Sequence, residues 1–81
     1  MEQTGILDQV KQVVSDTFGV SVGSLTAETT ANDVEGWDSV AHLIFINGIE
    51  SAFGVRLPMQ QALDVSNLGD MAKLVQDVRQ A

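Results

Sequence analysis

From Thr4 to Phe18 the apolar residues Ile6, Leu7, Val10, Val13, Val14 and Phe18 recur at helical spacing, while Asp8, Lys11, Gln12 and Asp16 fall on the other face. This periodicity predicts an amphipathic helix that ends at Gly19, a residue suited to the left-handed stop. Between Val20 and Asp38 the pattern dissolves into Gly, Ser, Thr, Asn and Asp, punctuated by Leu25, Val34 and Trp37. A loop of this length is uncommon in a small domain unless it is functional or pinned by its own side chains, and those three residues are the candidate pins. Helical spacing resumes at Ser39, with Asp38 placed to cap the first turn, and runs to Phe53 before Gly54. On a wheel of about 100° per residue, Leu43, Ile46, Ile49 and Phe53 share the inward arc. His42 lies on the same apolar side; Ala41, Asn47, Gly48 and Ser51 lie opposite, with the apolar Ile44 among them. Pro58 opens a short helix to about Leu63. Ser66 is placed to cap a last helix whose stripe is Leu68, Met71, Leu74, Val75 and Val78. Val55-Arg56-Leu57 has no partner to pair with as a strand. The pattern as a whole predicts an all-α, four-helix bundle: three longer helices, one short helix, and a long loop between helices 1 and 2, forming one domain over residues 1–81.

Charge narrows the partners. Four Lys and Arg against eleven Asp and Glu leave a net charge of −7. Nucleic acids and anionic membranes present phosphate that must be met by cations, so neither is an expected partner, and a basic protein surface is. No apolar run reaches the roughly 20 residues of a membrane span, nor does the N-terminus read as a signal peptide, so a cytoplasmic, monomeric protein without membrane insertion is expected.

Catalytic constellations are missing. The chain has no cysteine and a single histidine, His42, which removes thiolate zinc sites, Cys nucleophiles and histidine pairs, so no metal site is expected. Reading Asn32 to Asp38 as a calcium loop, with Gly36 at position six, puts Ala31 and His42 where carboxylates are needed; it fails. The acidic residues Glu28, Asp33 and Glu35 read as a solvated stretch of loop, with weak divalent-cation binding as the second reading. Met59 and Met71 read as core fillers, Trp37 as an anchor for the loop's end, and His42 as a partly buried, hydrogen-bonded histidine. Ser39 stands out, directly after Trp37 and Asp38 at a helix start, where backbone amides favour an attached anion. On these grounds alone Ser39 serves either as a modification point or, with Asp38, as a helix cap. No catalytic residue is assigned.

Gly36-Trp37-Asp38-Ser39-Val40, followed by His42-Leu43, Ile49-Glu50 and Phe53-Gly54-Val55, resembles the acyl carrier proteins, whose Asp-Ser-Leu core stands here as Asp38-Ser39-Val40. Phe18-Gly19-Val20, Leu25-Thr26 with Thr29, and Val65-Ser66-Asn67-Leu68-Gly69-Asp70 extend the likeness over nearly the whole chain. The resemblance implies a phosphoprotein in which Ser39 bears a 4′-phosphopantetheine arm. A phosphopantetheinyl transferase draws that arm from coenzyme A, and its thiol carries acyl groups as thioesters between acyl-loading and acyl-processing enzymes of fatty acid or polyketide biosynthesis. Such a protein is a carrier, not an enzyme. Fatty-acid carriers resemble one another in a strongly acidic second helix. Here Ile44, Asn47 and Ser51 replace carboxylates, which points to a stand-alone carrier of a specialised pathway. Expected partner contacts are Val40, Ile44, Asn47 and Glu50. The alternatives are a peptidyl or aminoacyl carrier of the same fold, and an acidic helical interaction module in which Ser39 only caps a helix.

Overall fold

The computed structural model describes residues 2–80. Its helices are α1 (Glu2–Phe18), α2 (Ser39–Phe53), α3 (Met59–Asp64) and α4 (Leu68–Gln80), with 3₁₀ turns at Val22–Ser24 and Ala31–Asp33 in the long loop. The described residues contain no strand, and Val55 to Leu57 form an irregular segment after α2. The all-α bundle and its three-long, one-short composition are as the periodicity predicts.

Helix α1 packs against both α4 and α2. Its buried residues Ile6, Val10, Val13 and Val14 meet Phe45, Ile46 and Ile49 of α2 and Leu68, Met71, Leu74 and Val75 of α4 in one core. Ala62 is the buried residue of α3. Burying each Val, Ile or Leu contributes about 1.5–3 kcal/mol, against at most about 1 kcal/mol for an exposed ion pair. Apolar contact therefore holds this acidic bundle together. Gly19 and Gly54 end α1 and α2 with φ of 72° and 65°, the left-handed conformation expected of them.

The face of α2 that meets the core differs from the arc the wheel predicts. Phe45, Ile46 and Ile49 are buried, whereas Leu43 is 45% exposed and Gly48 faces α1. A Cβ on Gly48 would stand 2.9 Å from Val13 Cγ1, so the missing side chain lets the two helices approach. The cause is composition: α2 is apolar around most of its circumference, and a wheel cannot choose a face without polar contrast. Met59, expected in the core, is 53% exposed, while Met71 is fully buried as expected. The last helix also differs at its start. Asn67, not Ser66, supplies the cap: its Oδ1 accepts from the Asp70 amide at 2.8 Å, and Asp70 reaches back to accept from the Ser66 amide at 3.2 Å.

The long loop is pinned as expected, with Leu25 and Val34 buried and Trp37 packed on the core. Its polar residues also do structural work. Thr29 Oγ1 accepts from the Thr26 amide at 2.8 Å, and Asp33 accepts from the Thr30 amide at 2.9 Å. The loop then hands its carbonyls to α4: the Leu68 amide donates to Thr29 O (3.1 Å) and the Gly69 amide to Ala27 O (2.8 Å). These bonds satisfy first-turn amides that α4 cannot satisfy itself. They tie the middle of the loop to the start of α4.

Candidate functional site

Asp38 sits at the N-cap of α2 with extended backbone, and its Oδ1 accepts from the Ala41 amide at 2.8 Å. Its carbonyl accepts from the His42 amide at 2.9 Å. Capping is thus the work of Asp38. Ser39 is the first residue of the helix, exposed, and one position past the cap. The cap leaves the serine side chain no structural duty at the helix start, which separates the two roles that its position in the sequence leaves open.

Ser39 and Asp38 stand on the rim of an open groove of about 440 Å³, lined also by Trp37, His42, Leu63 and Val65. The half-buried Trp37 forms one wall. Its ring stacks on Phe18 at a centroid distance of 4.7 Å and meets Phe45 edge-on at 5.0 Å. Its indole Nε1–H donates to His42 Nδ1 at 3.1 Å, and His42 Nε2 lies 3.0 Å from the Ala62 carbonyl. Because Nδ1 accepts, these partners assign the proton to Nε2, which donates to Ala62. One imidazole therefore ties the loop before α2 to α3, with both ring nitrogens used. The expectations of an anchoring tryptophan and a satisfied histidine hold. Their bond to each other was not legible, because a wheel drawn for α2 does not include Trp37 in the preceding loop.

Residues 8–75 match the family model described as the phosphopantetheine attachment site. The chain belongs to this family of carrier proteins. It is also similar to a holo acyl carrier protein from Geobacter metallireducens solved by solution NMR: 30% identical in sequence, with a TM-score of 0.80, over 91% of this chain and 85% of that one. The cofactor of the carrier is accordingly covalent 4′-phosphopantetheine. Among the described residues no helix is long and apolar enough to cross a membrane.

The other residues expected from the sequence to contact partners fall into two groups. Val40, Ile44 and Asn47 are exposed on α2, Val40 at 66% and Ile44 at 53%, and the exposed Leu43 joins them. Together with Ser51 they form the outward face of α2, in which three apolar residues of the first turns are followed by one amide and one hydroxyl. Glu50 stands apart. It is half-buried, and its Oε2 accepts from the Leu57 amide at 2.8 Å, which ties the segment after α2 back onto the helix. The geometry gives Glu50 an internal bond rather than a place on the exposed face. Leu43 and Leu63 are the exposed apolar residues near Ser39 that sequence reasoning missed. A signal was present for Leu43, since turning the wheel to bury Phe45 moves it outward.

Proposed function

We propose that this chain is an acyl carrier whose Ser39 hydroxyl bears the phosphopantetheine arm. The observation that carries the reading is the division of labour at the start of α2: Asp38 caps the helix and Ser39 stands free of that task at the rim of an open groove, within the matched span. The arm supplies a thiol, which a chain without cysteine cannot provide, and holds acyl groups there as thioesters. The protein's own residues do the rest. The positive end of the α2 dipole favours the phosphodiester anion linked at Ser39. Asp38 and the Trp37–His42 pair fix the serine's position, and the exposed groove leaves the hydroxyl open to a transferase. The domain itself catalyses nothing in this reading.

Partner enzymes dock on the outward face of α2 through Val40, Ile44 and Asn47. The net charge of −7 draws basic partner surfaces from a distance, while the apolar residues supply short-range contact where fatty-acid carriers would place carboxylates. This composition supports a carrier of a specialised pathway working in the cytoplasm. The direct test is incubation with coenzyme A and a broad-specificity phosphopantetheinyl transferase, followed by intact mass measurement and sequencing of the modified peptide. A single phosphopantetheine on Ser39 is expected; an unmodified protein, or modification at another residue, would contradict the reading.

A further inference from the structure

Beside the Ser39 groove lies a second, narrower and partly open space of about 30 Å³, lined also by Thr29, Ser66 and Asn67. The two spaces share the wall residues Ala31, Trp37, His42 and Val65. Ser39 and Leu63 stand on the outer side of this wall, while Phe45 and Leu68, each 1% exposed, line the inner space. The inner space is large enough for one or two water molecules and too small for an alkyl chain of several carbons. Cargo lying in the groove can therefore pass into this space only if the shared wall moves.

The wall is built to resist that. Trp37 is held on one side by Phe18 and on the other by Phe45, and the Trp37–His42–Ala62 bonds run in series across the gap between the loop and α3. A hydrocarbon chain pushing through would separate the indole N–H, both imidazole nitrogens and the carbonyl of the fully buried Ala62, and would offer none of them a replacement partner. Purely apolar wall residues could slide aside at the cost of packing alone.

We infer that Trp37 and His42 form a bar across the entrance to the bundle and determine which cargo suits this carrier: short or polar acyl groups that need no apolar shelter and stay outside, along the groove. This rests on the reading of Ser39 as the attachment point.

The test loads Ser39 with acetyl-, butyryl- or octanoyl-phosphopantetheine from the corresponding coenzyme A thioesters, confirms loading by intact mass, and compares melting temperatures. Chain burial would raise Tm by roughly 3–6 °C per sheltered methylene. The wild-type forms are expected to melt together, with unchanged Trp37 emission. Within the variants His42→Ala and Trp37→Leu, the second of which keeps an apolar anchor against Phe18, the octanoyl form is expected to melt above the acetyl form. A Tm that climbs with chain length in the wild type overturns the bar, as does a flat series in both variants. Absence of any mass gain fails the attachment reading instead, and the inferred cargo with it.

Discussion

At the scale of single residues, the structure assigns work by hydrogen bond rather than by residue type. Asp38 and Glu50 are both acidic and both on α2 or its cap, yet each spends an oxygen on a backbone amide, Ala41 for one and Leu57 for the other. A hydrogen bond to a charged group is stronger than a neutral one, and solvent around these incompletely buried carboxylates brings its contribution down to about 0.5–2 kcal/mol. Glu50→Ala should therefore lower stability by about 1–2 kcal/mol, and Glu50→Gln, which retains an acceptor, by less. Thermal melts check the ordering; equal stability of Glu50→Ala and wild type would show that the Leu57 bond is unimportant. Ser39 presents the opposite case. Exposed and next to the cap, it makes no demand on the helix, so Ser39→Ala should leave the melting temperature within about 4 °C of wild type, the change of less than about 0.5 kcal/mol usual for a surface site.

At the scale of elements, α2 carries the proposed site and also shows where reading the sequence falls short. Its start and stop were legible, because Asp38 and Gly54 have distinct backbone roles that the wheel does not need to resolve. Its buried face was not, because Val40, Leu43, Ile44, Phe45, Ile46 and Ile49 leave a helix apolar on nearly every side, and only contact with α1 selects among them. The cap of α4 shows a smaller shift of the same kind: Ser66 and Asn67 are both good caps, and the loop carbonyls at Ala27 and Thr29 choose the later one by seating the Leu68 and Gly69 amides. Two predictions belong here. Asp38→Ala removes the cap of α2 and should cost about 0.5–2 kcal/mol, with Asp38→Asn nearer wild type, as read by chemical denaturation. Ile44→Ala should weaken binding to a cognate partner enzyme about tenfold, since burying one such side chain contributes about 1.5–3 kcal/mol and about 1.4 kcal/mol is a factor of ten. Titration at low and high salt checks it. Unchanged affinity with steep salt dependence would shift docking to the charged residues.

At the scale of the whole molecule, the excess of acidic residues and the small core set the behaviour of the carrier. Eleven Asp and Glu against four Lys and Arg repel one another across a compact body. Raising ionic strength from about 0.01 to 0.15 M shortens the screening length from about 30 to 8 Å, so Tm should rise over that range. A flat profile would mean that the charges are already effectively separated. Periodicity pointed to an all-α four-helix bundle, and the resemblance carried by Asp38-Ser39-Val40 and its flanking segments pointed to a carrier, before any contact was known; the groove and the bar of Trp37 and His42 join residues from the loop, α2 and α3 and so exist only in the folded chain. The central claim is that this fold exists to hold an arm at Ser39. The measurement that tests it most directly is the intact mass of wild type and Ser39→Ala after incubation with coenzyme A and a phosphopantetheinyl transferase, each checked by circular dichroism. A gain of one phosphopantetheine in the wild type, none in Ser39→Ala, and equal helical signal in both is the predicted result; a gain that survives the substitution, or a variant that loses its helices with its loading, would contradict it.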